Sequence, residues 1–341
     1  MSVLVTGVGG QAGRWLTDIL HSHGYDVVGT VRRSSQPRDY LNSYIEDGLK
    51  VVEADNTDYS SMERLIKSVK PSHIFNLAAQ SHVMTSFDQP IYTWQCDAES
   101  VLNLLEIIRN NCPETRFVQA SSSEMFGKSV SQRLKSDFST EYYQDENTIF
   151  MPQSPYSIAK LAAHHAVRLY RESYNLFACS AIMFNYESEL RSLTFVTRKI
   201  TNYVSRLELA KRVGVKIEKL KLGNLHAKRD WTHASDTMRG MLCLATADKP
   251  YDLVIGSGET HSVMEFADIA FKYIDEDYRN YVEIDDKFIR PAEVDYLCSD
   301  PSRAKQILGW SPIIKFEGLV KRMLKNDIER TNRKYAMYGD I

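Results

Sequence analysis

Short apolar runs alternate with longer amphipathic stretches through the first half of the chain. Val3 to Val5, Val27 to Val31, Leu49 to Glu53, His73 to Leu77 and Arg116 to Ala120 predict strands. Gln11 to His23, Asp58 to Val69 and Tyr92 to Asn110 predict helices between them, the last as one long helix. Strands that are apolar at nearly every position are buried on both faces. Alternating with helices, they predict an α/β architecture with a doubly wound parallel sheet. The alternation breaks after Phe126, and residues 127–153 read as polar, irregular chain. Tyr156 to Tyr174 predicts a further helix by periodicity, and Ala178 to Met183 a further buried strand. From Asn185 the pattern is mixed, as in a smaller mixed α/β lobe. The charged stretch Lys321 to Lys334 reads as a solvated helix.

Composition narrows the class. Of 341 residues, 43% are apolar and 25% charged, with a formal net charge of -2. That is ordinary for a globular protein, with no basic excess for nucleic acid and no polybasic run for anionic lipid. Cys96, Cys112, Cys179, Cys243 and Cys298 lie far apart with no C-x-x-C pair, which argues against a disulfide framework or structural zinc. The histidines show no ligand spacing, so no metal is expected. No signal-peptide pattern and no bilayer-length apolar run is evident, so a cytoplasmic, non-membrane protein is expected.

Three stretches carry candidate chemistry. Gly7, Gly10 and Gly13 follow a predicted strand and open a helix, the arrangement that brings a pyrophosphate against a helix N-terminus in a Rossmann domain. At the end of the second strand, Arg32-Arg33-Ser34-Ser35 stands where an acidic residue would bind the ribose of NAD. Guanidiniums and hydroxyls suit a 2′-phosphate, so NADP is expected. Asp55, ending the third strand, is a candidate for the adenine amine, or else a helix cap. Tyr156 and Lys160 share one face of a predicted helix, where an ammonium is expected to lower the Tyr pKa and make the phenolate accessible as a base. Ser122 and Glu124 leave the C-terminal end of a strand, the edge where ligands bind in open α/β sheets. Glu124 is either a base toward a carbon made acidic by an adjacent ketone or a partner of Ser121 in a capping box.

With these motifs the chain resembles the extended short-chain dehydrogenase/reductases, and within them the GDP-mannose 4,6-dehydratase family, over nearly its whole length. Gln119 to Glu124 matches the family's Q-A-S-T-S-E, with Ser122 at the threonine, and Ser154-Pro155-Tyr156 through Lys160 matches directly. Asn76 to Val83, Phe195 to Ile200, Leu222 to Leu225, Arg229 to Trp231 and Arg290 to Val294 are also similar. The resemblance implies an NADP-binding domain over residues 1–184 that carries the catalytic residues. It implies a nucleotide-sugar lobe over 185–341, some segments of which return to the first domain. Tyr156 would deprotonate the carbon 4 hydroxyl, Ser122 would bond its oxygen, and Glu124 would remove the carbon 5 proton as water leaves carbon 6. It further implies cofactor contacts from Gly7, Gly10, Gln11, Ala12, Gly13, Arg32, Arg33, Ser34, Asp55, Asn56, Leu77, Ala78, Ala79, Gln80, Ser81, Tyr92, Lys160, Tyr186 and Arg191. Sugar-nucleotide contacts are implied for Ser86, Ser122, Asn185, Val196, Lys199, Leu222, Gly223, Arg229, Arg290 and Glu293. A homo-oligomer, dimer or tetramer, is implied as well.

The chain departs from the family at three places: Ser122 stands for the threonine, the segment after Arg32-Arg33, which in the family helps pair subunits, is shorter, and one further segment is rewritten. Where the family has N-H-E-S-P-R-R, this chain reads Asn185-Tyr186-Glu187-Ser188-Glu189-Leu190-Arg191. A pocket reshaped near carbon 6 makes a GDP-manno-heptose an alternative substrate to GDP-mannose. A 4-dehydrogenase, reductase or epimerase would share Tyr156 and Lys160 without needing Glu124. A non-catalytic NADP sensor would need neither.

Overall fold

The structure, a computed structural model, describes residues 1–33, 42–46, 48–288 and 292–339. It opens with β1 (Ser2–Thr6), α1 (Gln11–Ser22), β2 (Asp26–Val31), α2 (Asn42–Glu46), β3 (Lys50–Glu53), α3 (Tyr59–Val69) and β4 (His73–Asn76). Short helices α4 (Val83–Asp88) and α5 (Pro90–Trp94) lead through a π-helical turn, Gln95–Glu99, into α6 (Ser100–Asn111). The single long helix expected from Tyr92 to Asn110 is thus present, widened by one π-helical turn along its length. β5 (Arg116–Ser122) ends in a 3-10 turn, Ser123–Met125. The stretch expected to be irregular holds an antiparallel hairpin of β6 (Ser131–Leu134) and β7 (Thr140–Tyr143). Then come α7 (Pro155–Tyr174), β8 (Ala178–Met183), β9 (Asn185–Glu187), α8 (Val196–Val213), β10 (Leu220–Leu222), β11 (Lys228–Arg229) and β12 (Trp231–His233). The chain closes with α9 (Ala234–Ala245), β13 (Leu253–Ile255), β14 (His261–Ser262), α10 (Val263–Lys272), β15 (Val282–Ile284), α11 (Ser302–Leu308) and α12 (Phe316–Tyr338).

Seven parallel strands form the central sheet in the order β13-β8-β5-β4-β1-β2-β3. The order reverses between β1 and β4, which opens a crevice at their C-terminal ends. On one face Leu16 and Leu20 of α1 and Met238 and Met241 of α9 cover the sheet. On the other, Met62 and Ile66 of α3, Leu104 and Ile108 of α6 and Val167 of α7 do so. A separate core of Ile200 and Val204 from α8, Phe266 and Phe271 from α10, and Leu319 and Met323 from α12 builds the second lobe. α12 is therefore not simply solvated: its inner face is buried, including Asp327 at 1% exposure. Among the described residues no helix is long and apolar enough to cross a membrane.

Candidate active site

The crevice at the strand reversal widens into a cavity of about 900 Å³ between sheet and second lobe. Its floor begins where β1 ends. Gly7 has φ of +66°, and a Cβ there would stand 2.9 Å from Ala78 Cα. A Cβ on Gly13 would stand 2.5 Å from Val8 Cα, so only glycine lets α1 pack this closely on the turn. No side chain caps α1, whose first-turn amides are left for an anion. Gln11 does not point outward. Its Nε2 donates to Tyr186 O at 3.0 Å, and its Oε1 accepts from Ser188 Oγ at 2.7 Å.

Arg32 lines the cavity just beyond β2, its guanidinium 5.9 Å from the Tyr92 ring centre. Arg33 is exposed outside it. Ser34 and Arg290 lie outside the described residues. Asp55 borders the cavity and turns its carboxylate onto Thr57 N at 3.0 Å, while Asp58 caps α3. Leu77, Ala78, Ala79 and Ser81 form the wall after β4. Gln80 braces that wall from within, its amide bonded to Thr93 and to the backbone of His82. Ser86 does not reach the cavity: it is fully buried and donates to Val83 O of its own turn.

A chain of buried hydrogen bonds links the strand ends. Asn56 Nδ2 donates to Asn76 Oδ1 at 2.9 Å, Asn76 Nδ2 to Gln119 Oε1 at 2.8 Å, and Gln119 Nε2 to Ala120 O at 3.1 Å. Lys160 Nζ ends the chain on the same Ala120 O at 3.1 Å. Lys160 and Tyr156 are aimed by α7, which starts at Pro155 behind a capping box of Ser154 and Ser157. Ser122 Oγ accepts from Glu124 N at 3.2 Å and so caps the 3-10 turn that presents Glu124. The capping partner of this turn is thus Ser122 rather than Ser121. Ser122, Glu124, Tyr156 and Lys160 all line the one cavity.

The electrostatics differ from expectation at Tyr156. Burial pushes its phenol well above the ordinary value, the Asp97 charge adds to the rise, and a bond from Ser122 only partly opposes it. Lys160 stands 5.7 Å from the ring centre and does not reverse this. Burial likewise pushes the Lys160 ammonium down, against the pull of Asp97. Asp97 itself is pushed up to about 6 by burial, which outweighs Lys160. It sits on the π-helical turn, fully buried, with Oδ1 taking Gln80 N–H at 2.7 Å and Oδ2 without a donor. Nothing in the motifs pointed to Asp97. π-turns do recur at functional sites.

The second lobe supplies the far wall. Asn185, Tyr186, Arg191, Val196, Lys199, Leu222, Gly223, Arg229 and Glu293 all border the cavity. Arg229 Nη2 donates to Glu293 Oε1 at 2.9 Å. Arg191 lies 3.5 Å over the Phe195 ring and 3.4 Å from Glu187. Glu187, which stands in the segment read against the family's N-H-E-S-P-R-R, and Phe288, which belongs to no readable motif, line this wall too, Phe288 beneath Lys199 Nζ at 4.0 Å. Of the residues that depart from the family, Tyr186 borders the cavity, whereas Glu189 turns away to His233 and Arg322.

A Rossmann sheet, an uncapped glycine turn and a buried Ser–Tyr–Lys group beneath an appended lobe define an extended short-chain dehydrogenase/reductase. Residues 4–323 match the family model described as GDP-mannose 4,6 dehydratase. The chain belongs to that family. It is 43% identical to GDP-mannose 4,6 dehydratase 2 of Arabidopsis thaliana, covering 98% of this chain and 88% of that one. With the human GDP-mannose 4,6 dehydratase it shares 40% identity, over 96% and 92% of the two chains. Among solved structures, the UDP-glucose 4-epimerase of Thermotoga maritima superposes with a TM-score of 0.81 at 23% identity, over 98% of this chain and 100% of that one. The dTDP-glucose 4,6-dehydratase of Bacillus anthracis, in complex with NAD, gives 0.81 at 19% identity, over 98% of both. At such identity these two bear on the fold.

Proposed function

We propose that this protein is a GDP-sugar 4,6-dehydratase that works with bound NADP, GDP-mannose being the substrate. The observation that carries the reading is Glu124, a nearly buried carboxylate facing the same cavity as Tyr156 and Lys160. Plain hydride transfer needs the Tyr–Lys pair but no second base.

The residues present fit the cofactor. Gly7 and Gly13 leave the turn open, α1 offers unbonded first-turn amides, Arg32 offers a cation beyond β2, and Asn56 Oδ1 is a buried acceptor without a donor. When bound, NADP supplies hydride chemistry, withdrawal at carbon 4 and return at carbon 6. Tyr156 Oη takes the proton of the carbon 4 hydroxyl, with Ser122 Oγ bonding the same oxygen. Burial disfavours the phenolate, so Tyr156 gives up its own proton to solvent only as substrate and cofactor enter, and is then free to accept the one from carbon 4. The carbon 4 ketone acidifies carbon 5. Glu124 then removes that proton and passes it to the departing carbon 6 hydroxyl, which leaves as water. Carbon 5 then regains a proton, the one that Tyr156 took from the carbon 4 hydroxyl making up the one spent on water, so Tyr156 and Glu124 return to their starting states with net loss of one water. Arg229, Glu293, Lys199 and the buried, donorless Asn185 Oδ1 are the groups offered to the nucleotide and its sugar.

Tyr186 at the cavity wall favours one second reading, in which the sugar is a GDP-manno-heptose. Mass spectrometry of each GDP-sugar with purified, NADP-loaded protein separates the cases. Loss of one water from GDP-mannose, abolished by Glu124→Gln while exchange of the carbon 4 hydrogen continues, is expected. Faster loss from the heptose selects the second reading. Loss of two hydrogens, or full-rate dehydration by Glu124→Gln, sinks the dehydratase mechanism. We further read the protein as cytoplasmic, supported by its five free cysteines, and as a homo-oligomer, supported by apolar side chains exposed along α5, α6 and α7.

A further inference from the structure

Behind the segment that carries Arg191 lies one buried side chain that bonds two of its carbonyls, with Arg330 Nη1 of α12 adding a longer bond to Glu189 O at 3.2 Å from the surface. Arg198, in the first turn of α8, is 3% exposed. Its Nε and Nη2 donate to the carboxylate of Asp327 on α12 at 3.1 and 2.7 Å. Its Nη1 donates to the backbone oxygens of Glu189 at 2.6 Å and Arg191 at 2.7 Å. Thr201 Oγ1 donates to the same Asp327 at 2.6 Å. From the opposite side Gln11 of the glycine turn grips Tyr186 O and Ser188 Oγ. The segment therefore hangs between the cofactor cradle and the C-terminal helix.

A buried ion pair adds little net stability when compared with apolar residues of the same volume. Its strength lies in geometry. The five donors of a guanidinium form a planar, rigid fork. With its Nε–Nη2 edge seated on Asp327, the remaining nitrogen has one place to be, and both carbonyls come to it. We infer that Arg198 is a positioning residue for the cofactor site: anchored on Asp327, it fixes the backbone of Glu189 and Arg191, and with it the guanidinium that Arg191 turns into the cavity. α12 lines no part of the cavity, yet it becomes a working part of the site. The inference rests on the NADP reading above.

Replacing the pair by Arg198→Met with Asp327→Leu removes the fork without stranding a buried charge. Thr201 can turn its hydroxyl to a carbonyl of its own helix. Two measurements on the folded double variant test the idea: NADP affinity by calorimetry, and amide hydrogen exchange of residues 185–195 in NADP-free protein. The expected result is a Tm near that of the wild type, faster exchange confined to that segment, and an NADP Kd raised roughly tenfold, the loss of about one charged hydrogen bond. Wild-type exchange together with wild-type affinity overturns the inference. If the double variant does not fold, Arg198→Lys keeps a charge beside Asp327 without the fork and takes the same two measurements with the same expected result. Should the wild type itself fail to bind NADP, the cofactor reading falls. Tight wild-type binding matched by the variant overturns this inference alone.

Discussion

Tyr156 is placed where its ionisation is resisted, and the carboxylate that adds to the resistance is itself held against its nature. Asp97 has one oxygen on Gln80 N–H, the other on nothing, and a pKa raised from 3.8 to about 6. Because the folded pKa lies above the unfolded one, the folded state binds the proton more tightly. Its charge therefore costs stability as pH rises through roughly 4 to 6, and the full cost persists above that window. Asp97→Asn keeps the acceptor for Gln80 and removes the charge. It should raise the Tm at pH 8 by the equivalent of up to ~3 kcal/mol, a gain that vanishes below about pH 4. The same change should move the acidic limb of the kcat/KM profile to lower pH, since a charge that lifts the Tyr156 pKa is gone. Melting curves and rate profiles across pH check both. A variant less stable than wild type at pH 8 would mean that the ionised carboxylate is held by Lys160 more strongly than burial opposes it.

At the scale of elements, the glycine turn divides into positions that the fold needs and a position left for a ligand. A methyl group on Gly13 would press on the backbone of Val8 and Gly7, at 2.5 to 2.7 Å. Gly13→Ala should therefore cost about 1–3 kcal/mol of stability and disturb the cradle. A methyl on Gly10 would meet only Gly7 O, at 3.5 Å, and Gly10 has φ of -77°, open to any residue. Gly10→Ala should leave the Tm unchanged and still weaken NADP binding several-fold, as calorimetry beside thermal melts will show. If both substitutions leave affinity intact, the turn is not the pyrophosphate site. This turn was legible because β1 and α1 have strong and different periods on either side of it. So were β5, α7 and β8, which are apolar runs long enough to declare themselves. The π-turn at Gln95–Glu99 was not, since one extra residue hardly disturbs a helical pattern. The hairpin β6–β7 has too few apolar positions to alternate, and β10 to β15 are two or three residues long. Within the site, Tyr156, Lys160 and Glu124 could be read because they stand in compact motifs. Asp97 and Arg198 could not, because their meaning comes from Lys160 and Asp327, far off in the chain. The polar face of α12 misled for the same reason: a buried Asp looks solvated until its Arg is seen.

At the scale of the molecule, α7, which carries the catalytic pair on its inner side, leaves apolar side chains exposed on its outer side, as do the neighbouring α5 and α6. Ile158 and Leu169 of α7 are 50% and 56% exposed, and Ile91 of α5 is 72% exposed. Ile158 and Leu169 lie three helical turns apart, hence on one face, with Trp94 and Leu102 exposed on the neighbouring α5 and α6. A monomer would leave these exposed apolar side chains wet. In the homo-oligomer proposed above, a second copy would offer the same face to them, and a two-fold axis would bring each helix against its mate, the commonest way that such a surface closes. Sedimentation velocity should then give a particle of twice 39.1 kDa or more for the wild type. Ile158→Glu with Leu169→Glu places charges where the partner would bury them, and both sites are exposed enough for the protomer to fold unchanged. The variant should sediment near 39.1 kDa with an unaltered Tm measured under dilute conditions. Its NADP affinity should hold, because Tyr156 and Lys160 point to the other side of α7. A wild type that is already monomeric refutes the oligomer. A variant that still associates moves the interface to another face. A monomeric variant that loses NADP as well would mean that the outer contact holds α7 in register, so that assembly completes the cofactor site rather than merely covering its back.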